Sequence, residues 1–130
     1  MTARTFRRLV VACMLSAMAA AAKVSVGAAH ALVMNSIPAA NGNVAAGNVH
    51  IVLTFNSRID KKRSRVTVHS SDAQETAVAL ISDNSENVLQ GDVTLAREGA
   101  YQIRWQVLSR DGHITRGIVP FAVADVKTPQ

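Results

Sequence analysis

The chain has 130 residues, room for one domain and not two, and its 48% hydrophobic and 18% charged residues suit a packed core rather than a disordered chain. One cysteine excludes an internal disulfide framework and any multi-cysteine metal site. The formal net charge of +5 suggests a nucleic-acid binder, a suggestion that fails once the charges are located.

The first 29 residues are expected to be a signal peptide and residues 30–130 the exported domain. Arg4, Arg7 and Arg8 precede an apolar or small-residue run from Leu9 to Ala22. That run is shorter than the roughly 20 residues a membrane span needs, and it matches the apolar region of a secretory signal. Cleavage after Ala29 leaves His30 as the first residue; cleavage after Ala31 fits the small-residue rule equally well and discards His30. Arg4, Arg7, Arg8 and Lys23 leave with the signal, so 10 of the 14 Lys and Arg remain against 9 Asp and Glu. The exported domain is close to neutral, with no basis for nucleic-acid binding. Cys13 leaves too, and the thiol-free remainder suits an oxidising compartment, with no membrane span in the mature chain.

Strands follow. Val49, Ile51, Leu53 and Phe55 alternate with His50, Val52 and Thr54, the period of a half-buried strand. Val66 with Val68, Ala77 to Ile81 and Val88 to Leu95 are shorter strand segments. Tyr101, Ile103, Trp105 and Val107 face inward from Ala100 to Leu108, with Trp105 at the centre of the core. After the turn Ser109-Arg110-Asp111-Gly112, Val119, Phe121 and Val123 share a side, and Pro120 predicts an edge or a bulge there. Asn41-Gly42, Asp83-Asn84 and Glu98-Gly99 mark turns. About seven strands and no helical period predict an all-β fold, an immunoglobulin-like β-sandwich or a Greek-key barrel.

Asp111-Gly112-His113 carries the strongest chemical signal. Residues two apart in extended backbone share a side, so a carboxylate and an imidazole can aim at one point. A free amino-terminal His30 would add an α-amine and a ring nitrogen. Three nitrogens and one oxygen form the tetragonal set that Cu(II) favours, and zinc can use the same groups tetrahedrally. The competing readings are a terminal His30 without a partner and a DGH triplet that is an ordinary exposed turn. His50 and His69 read as solvated histidines. The run Lys61-Lys62-Arg63-Ser64-Arg65 reads as a charged loop that keeps a strand edge soluble.

These residues also carry a resemblance. His30-Ala-Leu, Ser36-x-Pro38-Ala39, Gly42, Leu53-Thr54-Phe55 and Tyr101-x-Ile-x-Trp105-x-Val-x-Ser109-x-Asp111-Gly112-His113, followed by Gly117 and Phe121, occur in order. Over His30 to about Val123 the chain resembles the CopC family, periplasmic copper-binding proteins of bacterial copper resistance and homeostasis. The resemblance implies a cupredoxin-like fold and a Cu(II) site formed by His30, Asp111 and His113. It also implies a role in copper resistance or uptake beside a CopD-type inner-membrane protein. A carrier or buffer rather than an enzyme is the expected role, and a monomer is expected because nothing in the sequence suggests a large interface.

Two departures stand out. Ser57 occupies the place where many members have an acidic residue. The stretch Val66 to Thr76 also lacks the methionines of members with a Cu(I) loop, and Met34 is the single methionine after residue 29, so Cu(II) alone is expected. Two alternatives have their own motivation. A copper oxygenase with a histidine brace would share the terminal histidine, but Phe55, Tyr101, Trp105 and Phe121 are phased inward and leave no aromatic substrate face. An immunoglobulin-like interaction module without metal would follow from cleavage after Ala31.

Overall fold

The computed structural model describes residues 30–125; the expected signal segment, 1–29, lies outside them. Nine strands and no helix make up the described residues. They are β1 (Val33–Ile37), β2 (Gly42–Val44), β3 (Gly47–Phe55), β4 (Ile59–Ser70), β5 (Glu75–Ala77), β6 (Ala79–Leu80), β7 (Val88–Leu95), β8 (Gly99–Ser109) and β9 (Ile114–Val123). They form two sheets, a four-stranded one in the order β1-β3-β7-β6 and a five-stranded one in the order β2-β9-β8-β4-β5. Every pairing is antiparallel except β2 with β9. The architecture is the expected all-β sandwich, with more strands than the pattern announced.

The core lies where alternation places it. Val49, Ile51, Leu53 and Phe55 of β3 and Leu89, Val93 and Leu95 of β7 meet Val66 and Val68 of β4, Tyr101 to Val107 of β8, and Val119, Phe121 and Val123 of β9. Trp105 packs edge-on against Phe55 with centroids 5.2 Å apart and planes at 80°. Such an aromatic pair contributes about 0.5–1.5 kcal/mol beyond its buried area. Tyr101 stacks on Phe121 at 5.7 Å, and its hydroxyl donates to the Arg97 carbonyl oxygen at 2.7 Å, so its polar end is satisfied.

Several local expectations are refined. The stretch Ala77–Ile81 is not one strand, because the chain changes sheets at Val78: β5 pairs with β4 and β6 with β7. Pro120 lies inside β9, between β2 and β8, rather than at a free edge or a bulge. Its carbonyl oxygen accepts from the Asn41 N–H at 2.7 Å. Because N and C=O of one strand residue point to the same side, the missing proline N–H faces away from β8, and the β8–β9 ladder loses nothing. The basic run 61–65 forms a bulge within β4 rather than a connecting loop. The register passes from Asp60↔Leu108 directly to Arg65↔Gln106, leaving residues 61–64 bowed out of the ladder.

Candidate metal centre

The end of the β8–β9 hairpin carries two of the three candidate residues, Asp111 and His113. Ser109 O accepts from Gly112 N at 2.9 Å, and Ser109 N donates to His113 O at 2.8 Å. This is a three-residue hairpin loop in which Gly112 takes the left-handed position, with φ +85°, that an L side chain resists. Closing the loop in this way brings Asp111 back over His113. One Asp111 carboxylate oxygen accepts from the His113 backbone N–H at 3.1 Å, and the other lies 2.9 Å from His113 Nδ1. The His113 backbone N–H, then its side chain, hold the Asp111 carboxyl below the usual carboxylate range, with smaller help from His30. A proton on Nδ1 shared with that carboxylate leaves Nε2 as the ring's lone-pair donor.

His30 completes the group. Its ring lies edge-on to that of His113, with centroids 5.6 Å apart and planes at 71°. The chain behind it is anchored. Ala31 is fully buried in the core, and its N–H donates to Ser109 Oγ at 3.2 Å. Leu32 N–H donates to Asn56 Oδ1 at 2.8 Å, and Leu32 O accepts from Asn56 N at 2.9 Å. The terminal segment is thus clasped by the ends of β3 and β8, which sets His30 beside the hairpin. Sequence reasoning missed Ser109 and Asn56 as anchors. Inward parity along β8 was the available signal for Ser109; Asn56 gave none.

The donor chemistry fits a copper ion. A metal about 2 Å from an imidazole nitrogen lies about 3 Å from that ring's centroid. Two imidazoles on one ion therefore stand about 4–6 Å apart between centroids, a range that includes the observed spacing. As the side chains stand, however, no three His, Cys, Asp or Glu groups among the described residues converge on one point. Both Asp111 oxygens are turned onto His113, so the standing arrangement is a His–Asp pair with a second histidine beside it. Ser57, at the place of the missing acidic residue, is half-buried, and its hydroxyl has no hydrogen-bond partner among the described residues.

The other histidines are engaged elsewhere. His50 faces Asp92 across the β3–β7 ladder, with Nδ1 and Oδ1 2.9 Å apart. His69 is more enclosed than expected for a solvated residue, its Nε2 lying 3.0 Å from Thr67 Oγ1 and 3.4 Å from Glu75.

An all-β sandwich with a histidine–aspartate cluster at one end of its longest hairpin defines the class. The chain belongs to the CopC domain family, whose description matches residues 33–124. Proteins of this family are copper-binding proteins and not enzymes, which sets the oxygenase reading aside. Among curated relatives, the chain is 31% identical to Protein YobA of Escherichia coli K12 over 98 residues, covering 73% of this chain and 79% of that one. It is 24% identical over 100 residues to the copper transport protein CutJ of Bacillus subtilis strain 168, of which it spans 18%. Among solved structures, it matches CopC from Methylosinus trichosporium OB3b with a TM-score of 0.67 and 24% identity, over 78% of this chain and all of that one. It matches PcoC, a methionine-rich copper resistance protein from Escherichia coli, with a TM-score of 0.59 and 22% identity, over 73% and 99% of the two chains. No helix among the described residues is long and apolar enough to cross a membrane.

Proposed function

We propose that the chain is an exported Cu(II)-binding protein of periplasmic copper homeostasis and resistance, a monomeric carrier or buffer that holds the ion through His30, Asp111 and His113. The observation that carries this reading is the seating of the His30 ring against a His113 that Asp111 already orients. His30 supplies its ring nitrogen and, after cleavage, its α-amine; His113 supplies Nε2. Asp111 orients His113 and places a negative charge beside the ion, releasing one oxygen to it as the fourth donor. Cu(II) suits this nitrogen and oxygen set. Met34, exposed on β1, is the single sulfur-bearing residue from residue 30 onward, which gives Cu(I) little to hold.

The burial of Ala31 supports cleavage between Ala29 and His30, since a cut after Ala31 would remove a core residue together with its bond to Ser109. The relatives named for copper transport and copper resistance support a role in copper handling. The recipient or donor in this proposal is a CopD-type inner-membrane protein.

Calorimetric titration of the exported protein with Cu(II) tests the reading. One ion per chain is expected, with affinity falling from neutral pH toward pH 5 because protons compete for the nitrogen donors. His113→Ala should abolish the tight phase. Equal binding by wild type and variant would overturn the site, and an intact mass starting at Leu32 would remove its amine.

A further inference from the structure

We propose that the outward face of the five-stranded sheet is a docking surface for an acidic segment of a partner protein. The register puts Arg65, Gln106 and Arg116 in one row across β4, β8 and β9, and Thr67, Arg104 and Ile118 in the next. Residues two apart on a strand share a side, so Arg65, Arg104 and Arg116 form a triangle on one face, and all three are exposed. They line a common hollow of about 490 Å³.

The charge there is uncompensated. Arg58, Lys61, Arg63 and Arg97 each pair with a carboxylate. Among the described residues, the three arginines of the triangle have no such partner. Arg104 donates to Gln102 Oε1 at 3.3 Å and Arg116 to Gln106 Oε1 at 2.8 Å, both neutral amides. Glu75 is the one carboxylate lining the hollow, and it lies 3.4 Å from His69 Nε2. In a domain of nearly balanced charge, a face of this kind calls for external carboxylates, which the planar guanidinium fork takes with two parallel N–H bonds.

The chemistry of the face favours a protein over other polyanions. Its cations are arginines, and Ile118, 55% exposed, sits in the row beside Arg104 as an apolar centre. Arginine around an apolar spot is the composition of protein interfaces. Trp105 lines the hollow but is only 7% exposed, too little ring surface for nucleic-acid bases to stack on. A lone isoleucine is too little apolar surface to enter a bilayer. Rows about 7 Å apart along the strands match an extended segment with acidic residues at alternate positions. The Arg65–Arg116 row stands about 10 Å from the DGH turn, so an occupant would lie beside the metal hairpin. The docking itself does not depend on copper binding there.

The test uses the isotope-labelled exported protein, titrated with a peptide of about ten residues alternating glutamate and serine. The glutamine–serine counterpart and phosphatidylglycerol vesicles form parallel arms. The acidic peptide is expected to shift amide signals of residues 102–106 and 116–118, and the neutral peptide to shift none. The double variant Arg104→Gln with Arg116→Gln should weaken binding about tenfold, and Arg65→Gln should weaken it in the same direction. Lys62→Gln, in the β4 bulge, should change it less than about twofold. Unchanged thermal unfolding of the variants ties the loss to the face rather than to the fold. Absence of peptide binding, binding indifferent to the arginines, or arginine-dependent binding of the vesicles alone would overturn the proposal.

Discussion

Ser109 ties together the two parts of the candidate site. It is 2% exposed, its hydroxyl accepts the Ala31 N–H, and its backbone closes the turn through Gly112 and His113. Replacing it with alanine leaves the turn bonds intact and strands the buried Ala31 N–H. An orphaned buried donor costs about 1–3 kcal/mol, so Ser109→Ala should lower stability to urea by that order. It should also loosen the segment that carries His30, weakening Cu(II) binding about tenfold, the low end for groups that orient a ligand from behind. Parallel urea and copper titrations check both outcomes. Loss of stability with unchanged copper affinity would confine Ser109 to the fold.

At the scale of elements, the β8–β9 hairpin is both the core of one sheet and the arm that presents the site. Gly117 lies opposite Trp105 in its register, and a Cβ there would approach the indole to 2.2 Å. The indole is wedged against Phe55 and has little room to yield. Gly117→Ala should therefore cost about 1–3 kcal/mol through overpacking, visible as a lower unfolding temperature and altered Trp105 fluorescence. A neutral result would mean that Trp105 can rotate away.

The same hairpin marks the reach of reading from sequence. Alternation over residues 49–55, 100–108 and 119–123 made β3, β8 and the second half of β9 legible with their inward sides. The short β1 and β2 went unread because Val33, Val44 and their neighbours bury too little apolar surface to show a period. The sheet change at Val78 was hidden because an apolar run looks alike on either sheet. At the site, the DGH turn and His30 were legible as types and spacing. Their meeting was not, since it depends on Asn56 and Ser109 clasping residues more than twenty positions away in the chain.

At the scale of the molecule, the two sheets meet through an apolar core, and a charged pair also ties one to the other. Lys61, in the β4 bulge of one sheet, pairs with Asp83, in the turn between β6 and β7 of the other. Asp83 also accepts from Ser85 and from Gln90 Nε2, the latter at 2.6 Å. Lys61 first, then Ser85 and Gln90, hold the Asp83 carboxyl far below its ordinary value. A carboxyl whose pKa is depressed on folding stabilises the fold above its unfolded pKa of about 3.9. That contribution is lost as the pH falls from there toward the folded value, because the unfolded chain takes up the proton first. Asp83→Asn keeps the shape and removes the charge. The variant should unfold at lower urea than wild type at pH 7, and the two midpoints should converge as the pH drops below about 4. Urea titrations of both proteins across that range check the linkage. A gap of constant size would assign Asp83 a purely geometric role.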